Sequence, residues 1–352
     1  MRAYLCRASG MLAILLLAVV SAAASGHKRD VFVLTSTNDA NQNQVVVFKL
    51  NGTSSLSFVN ALPTGGAGGA GGNAGAVQFD DFFGAVVNYG SNNVSQLARD
   101  DYSVRVVRTI PLAPNCVSPV SVAISGNHLL AVGANCAESH AWPWGQVDGG
   151  VVAISDSSAA QIVGGKSWAA VTLKSGSVLQ LPLTRDGELN GSSSTVTLPS
   201  GANDTPLGAA FWKDVLGVNP AHSPNSFALV DKSGDVFPVL GPQPAYPSNA
   251  PCWLAKGPGN IWYSGNSPGQ AVSIFFSDGQ GGTFYKSVAL PGTPTDLTVS
   301  RDQKWLAVIY TAADGSGGRI AVFAIDAYGD LSLAATSGSI GVAGFNGVAI
   351  SE

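Results

Sequence analysis

Short segments of the form hydrophobic-x-hydrophobic recur along the chain at a nearly constant interval. They read VVVFKL (45–50), VSQLAR (94–99), VVAIS (151–155), VLQLPL (178–183), FALVD (227–231), VSIFFSD (272–278) and IAVFAID (320–326). First residues are separated by 49, 57, 27, 49, 45 and 48 positions. A second motif runs in step with the first: a small residue or Pro, then a short apolar strand ending in Ser, Asp or Lys. Its copies are residues 74–80, 119–125, 206–213, 251–256, 294–300 and 346–351. A further apolar run lies between the two motifs, as in FFGAVVNY (82–89) and WLAVIY (305–310). A fourth often follows a Gly turn, as in DLSLAA (330–335).

Four short strands every 45 or so residues match the blade of a β-propeller. A parallel α/β fold would need strongly periodic helices between its strands, and none follows residue 26. Residues 345–351 read as an innermost strand with no blade after it, whereas 30–34 start on a second strand. Joining these two ends in blade 1 gives an all-β, seven-bladed β-propeller closed by its N- and C-terminal strands. Closure also removes free sheet edges. The irregular intervals fall in blades 3 and 4. Residues 136–150 read as an insertion between the second and third strands of blade 3, which loses its outer strand. AAQIV (159–163) then opens blade 4.

The stretch TGGAGGAGGNAGAVQ (64–78) contains G-x-G-x-x-G at 66–71. A dinucleotide fingerprint must follow a strand and open a helix. Here it is followed by another strand of the repeat, so the dinucleotide reading fails. The stretch becomes the connection from blade 1 to blade 2, at the rim of the upper face, close over a neighbour or moving as a flap.

Composition adds a compartment. Residues 1–24 read as a signal peptide: Arg2 and Arg7, an apolar core at 11–20 too short to span a bilayer, and Ala22-Ala23-Ala24 as a cleavage site. Residues 25–352 form the propeller domain. With 45% hydrophobic and 11% charged residues, the chain is neither disordered nor highly charged. Removing Arg2 and Arg7 leaves 16 basic and 22 acidic side chains, a net charge of −6. No clustered basic patch exists, which excludes nucleic-acid binding. A secreted, extracellular monomer is expected, with no membrane association after cleavage. Four sequons, at Asn51, Asn93, Asn190 and Asn203, are candidate glycosylation sites.

The repeats resemble the secreted lactonase-like seven-bladed propellers, which include carboxymuconate-cyclising and 6-phosphogluconolactonase-like proteins. The resemblance rests on VNYGSNNVS (87–95), on the inner-strand segments 118–125 and 293–300, and on the outer turns DGEL (186–189) and YGDL (328–331). It covers nearly all of the mature chain and implies fold more than chemistry. For the cyclising enzymes it implies His, Glu and Arg around the central funnel. The matching starts here, Ser118-Pro119-Val120-Ser121 and Thr205-Pro206-Leu207-Gly208, carry neither His nor Arg.

Four His occur, none in H-E-x-x-H or H-x-H spacing, and no G-x-S-x-G is present. No metal site, no cofactor and no nucleophile elbow are therefore expected. The insertion offers Glu138 and His140 as an acid–base pair and Trp142 and Trp144 as stacking surfaces, against the alternative that both Trp pack over the truncated blade. Polar residues at inner-strand starts, Asn115, Asp204, Asn249, Asp296 and Asn346, are candidate ligand contacts, against the alternative that they cap turns. Cys116 and Cys136 fall on the upper face of one blade and are a candidate disulfide, leaving Cys252 over. Two functions remain: a non-catalytic binding or cell-surface propeller for a small molecule or extracellular ligand, slightly preferred, and a lactonase- or cyclase-type enzyme for a small carboxylate or lactone.

Overall fold

The computed structural model describes residues 29–352 except 142–145, 148, 200–204, 223–225, 241–250 and 342–343. Seven antiparallel sheets stand in a ring, each with its first strand at the centre. Blade 1 is closed as the repeat predicts. Asn346–Ser351 is innermost and pairs with Val31–Ser36, followed by Gln44–Asn51 and Ser55–Pro63. Blade 2 opens at Val77–Asp80, blade 4 at Ala159–Gly164, blade 5 at Pro206–Trp212, blade 6 at Pro251–Lys256 and blade 7 at Gly292–Val299.

Burial follows from this stacking. Each blade packs both faces against its neighbours, so second strands such as His128–Val132 and Trp168–Leu173 are buried throughout. Outermost strands such as Ser55–Pro63 lie at the rim and are mostly exposed. The apolar side chains form seven seams, one per blade interface. Phe32, Leu34 and Val47 meet Val77, Val86 and Leu97 between blades 1 and 2, for example. Burying a large aliphatic or aromatic side chain stabilises by roughly 1.5–3 kcal/mol, so the ring is held by its seams.

Blade 3 departs from the sequence reading. Cys136–Ala141 is not part of a loop; it is the third strand, pairing with His128–Val132. Residues 151–155 are not a repeat copy. Val152–Ala153 and Gln146–Val147 are two short pieces that share the outer edge of Cys136–Ala141. The reason is chemical: the face of this strand toward blade 2 carries Cys136, Glu138 and His140, so it lacks the apolar alternation that marks the other third strands.

Innermost strands carry register shifts near their upper ends, at residues 346–348, 159–161, 206–209, 251–253 and 294–296. A bulge inserts a residue and re-aims its neighbours. Here the bulges sit beside Asn346, Gln161 and Asp296 at the axis.

Candidate functional site in the central channel

The Gly-rich connection does not stay at the rim. It runs inward from blade 1 and ends over the axis. Asn38, in the left-handed region at φ 52°, fastens it to blade 1. Its Oδ1 accepts from the Gly69 and Ala70 amides at 2.8 and 3.0 Å, and its Nδ2 donates to the Ala70 carbonyl at 2.7 Å. A Cβ on Gly68 would lie 2.4 Å from the Asn38 carbonyl carbon, so glycine here permits backbone-to-backbone contact. Further along, Asn73 donates to the Val120 carbonyl and accepts from Asn346 Nδ2 at 3.1 Å. Ala74 packs among Ala160, Leu207, Cys252 and Trp253, from blades 4, 5 and 6. The Gly75 carbonyl accepts from the Val122 amide at 3.0 Å and from Ser121 Oγ at 3.2 Å. The segment is thus tied to blades 1, 3, 4 and 7 and forms a fixed plug in the upper mouth.

Asp296 holds the plug on the blade 7 side. Its Oδ2 accepts from the Gly75 amide at 3.0 Å and its Oδ1 from the Leu297 amide at 2.8 Å. The side chain is 4% exposed. Burial pushes its carboxyl up from the ordinary 3.8 to about 7, against the opposing pull of these backbone donors.

Beneath the plug lies a channel of about 280 Å³, lined by the innermost strands of blades 2 to 7. Apolar residues such as Ala123, Ile162, Ala209 and Leu254 line it, but strand backbone and polar side chains make up most of its exposed wall. Its polar side chains are Gln78, Gln161, Thr298 and Lys256. A Cβ built on Gly75 would lie 3.2 Å from Gln78 Nε2 and 3.3 Å from Gln161 Nε2, so both amides converge at the closed upper end. Gln161 Oε1 accepts from the Ala209 amide at 2.6 Å, which fixes the orientation of that side chain. At the lower end, Lys256 Nζ donates to the Gly257 and Gly259 carbonyls at 2.7 and 2.8 Å. It also lies 5.6 and 5.5 Å from the ring centroids of Trp212 and Trp262. Burial lowers its amine to about 8.

The sequence candidates divide. Asp296 and Asn346 sit at the axis, both buried, both tied to the plug. Asn115 is exposed on the loop leading into blade 3. Trp142, Trp144, Asp204, Asn249, the sequon Asn203 and the signal segment 1–24 lie outside the described residues. Glu138 and His140 come together, with His140 Nε2 2.8 Å from Glu138 Oε1. The pair is fully buried on the blade 2 side of its strand, away from the channel, and Glu138 Oε2 accepts from the Ala113 amide at 3.0 Å. His140 Nδ1 is buried without a partner. Cys116 and Cys136 form a disulfide with 5.3 Å between Cα atoms. Cys252 is buried outside that bridge, and burial pushes its thiol up. Sequence reasoning missed Gln78, Gln161 and Lys256. The one available signal was their place in the inner-strand copies, where polar residues interrupt apolar runs.

The chain matches no protein-family profile and no curated protein sequence. Solved structures do resemble it. The periplasmic gluconolactonase PpgL of Pseudomonas aeruginosa superposes with a TM-score of 0.66 at 14% identity, covering 92% of this chain and 99% of that one. The fold is a seven-bladed β-propeller, the one shared by its 6-phosphogluconolactonase-like structural neighbours. A Bacteroides fragilis protein assigned as a 6-phosphogluconolactonase gives 0.67 at 13% identity, over 93% of this chain and 99% of that one. An inactive virginiamycin B lyase from Staphylococcus aureus, solved with quinupristin, gives 0.55 at 15%, over 74% and 84%. At such identities the likeness is one of architecture.

Proposed function

We propose that the chain is an exported, small-molecule-binding propeller whose channel takes a compact ligand bearing a carbonyl or carboxylate, entering from the lower face. One observation carries this reading: the Gln78 and Gln161 amides converge at the blind end of a channel whose wall is otherwise strand backbone and apolar side chains, with Thr298 and Lys256. Gln161 commits its oxygen to the Ala209 amide, so its NH₂ is the group turned toward the ligand space. A buried donor favours a ligand acceptor, and a neutral hydrogen bond of this kind contributes about 1 kcal/mol. Lys256 at the lower end adds a positive charge.

The binding reading stands ahead of a catalytic one because both Asp296 oxygens are taken by backbone amides, one from Gly75 of the plug and one from Leu297. A lactonase- or cyclase-type activity has one observation in its favour. The Lys256 amine, lowered to about 8, is partly neutral near physiological pH and can take a proton.

Calorimetric titration with gluconolactone, gluconate and carboxymuconate, alongside a turnover assay for each, tests both. Saturable binding that weakens at least fivefold in Gln161→Leu, without turnover, supports the binding reading. Turnover lost in Lys256→Met moves the assignment to the enzyme. Binding unaffected by Gln161→Leu, or no binding of any of the three, removes the channel as the site.

A further inference from the structure

The lower face carries a second concavity that the channel reading does not use. It is a cleft of about 940 Å³ between blades 1, 2 and 7. That volume lies at the upper end of the usual range for ligand sites, roughly 300–1,000 Å³. Eight of its thirteen lining residues are charged, in a chain that is 11% charged overall. Chance would put one or two there.

The charges cancel within the cleft. Lys49 Nζ pairs with Asp30 at 2.7 Å, Lys304 with Asp302 at 2.5 Å, and Arg301 with Asp80 at 2.9 Å and with Asp81. Arg29 lies over the Phe82 ring, 4.5 Å from its centroid, and pairs with Asp101 at 3.3 Å. Glu352 adds a carboxyl that burial pushes up. Trp305, half-buried, contributes an indole to the wall.

We infer that this cleft binds a neutral oligosaccharide chain. Pre-paired cations and carboxylates present many fixed donors and acceptors but no net charge. An ionic ligand would have to displace an existing partner, whereas vicinal hydroxyls can bridge a guanidinium and a carboxylate without breaking the pair. The indole supplies the flat apolar surface that the C–H face of a sugar ring needs. The size of the cleft accommodates several rings rather than one. The inference is independent of the channel and shares only the face it opens on.

Asn51, a sequon residue, lines the cleft. The test therefore uses protein made in bacteria, so that no glycan is attached at that position. Cellotetraose and mannotetraose are titrated by calorimetry, with a heparin-derived tetrasaccharide as the charged probe. Saturable binding of a neutral tetrasaccharide is expected. It should weaken tenfold or more in Arg301→Gln and in Trp305→Leu. Arg301 is 62% exposed, so Arg301→Gln should leave the melting temperature unchanged and separates binding from folding. Gln161→Leu should leave tetrasaccharide affinity unchanged, so the channel and the cleft fail or succeed separately. No binding of either neutral chain at millimolar concentration, tighter binding of the heparin fragment, or indifference to both cleft variants would overturn the inference.

Discussion

Replacing Asp296 by Asn isolates the electrostatics of the plug. The carboxyl titrates near 3.8 when exposed and near 7 in the folded protein, with burial the main cause. Between these values the folded state holds a proton that the unfolded state has released, so stability falls as pH rises through this window. Below 3.8 both states are protonated, and above 7 both are ionised, so the contribution levels off on either side. The interval from 3.8 to about 7, at about 1.4 kcal/mol per pH unit, comes to about 4 kcal/mol. Asn does not titrate, and all other groups are shared, so the difference between the two proteins reports this side chain alone. Asn also places an NH₂ against backbone donors such as Gly75 or Leu297, which adds a pH-independent cost of about 1–3 kcal/mol. Urea unfolding at intervals from pH 4 to 8 measures both effects. The native protein should lose up to about 4 kcal/mol relative to Asp296→Asn across that range, most of it between pH 4 and 7. Parallel curves would show that the carboxyl is not desolvated, and would refute the account of the plug as a buried, dry anchor.

Two further outcomes follow from blade 3. Reducing the Cys116–Cys136 bridge, or Cys136→Ser, releases a loop with a sequence separation of 20 and should lower unfolding free energy by about 3 kcal/mol, read as a reduced urea midpoint. Glu138→Gln replaces one of the carboxyl oxygens that accept from His140 and from the Ala113 amide in a fully buried seam and should cost about 2 kcal/mol. If a substrate is found and Glu138→Gln abolishes its turnover at unchanged stability, the pair is chemical rather than architectural.

Fold was legible because propeller blades repeat a local pattern. Apolar alternation and turn residues recur within each blade, and the missing inner strand of blade 1 had only one place to come from, residues 346–351. Cys136–Ala141 was not legible as a strand. Its buried face is Cys, Glu and His, and their burial is made tolerable by a disulfide partner 20 residues away and by the Glu138–His140 hydrogen bond, neither of which is visible as hydrophobic periodicity. The plug was half-legible. Glycine richness announced close backbone approach, but its partners, Asn38 and Asp296, stand 31 and 221 residues from the atoms they bind. The channel donors were invisible for the same reason: Gln78 and Gln161 lie in different blades and meet only because the ring closes.

The plug also explains why the chemistry should be sought below. Funnel-mouth residues that were candidate ligand contacts, Asp296 and Asn346, hold residues 73–75, with Asp296 also accepting from the Leu297 amide. A ligand arriving from above would have to break those bonds together with the packing of Ala74 against blades 4 to 6. Among the described residues the lower mouth meets no such obstacle, and the cleft of paired charges opens on the same side. Gly75 is what leaves room at the blind end. Its φ of 66° is one that side chains rarely adopt, and a Cβ there would come within 2.9 Å of Ser121 Oγ and crowd both channel amides. The glycines whose spacing spells G-x-G-x-x-G therefore close one mouth of the propeller while keeping the end of the channel free for an acceptor.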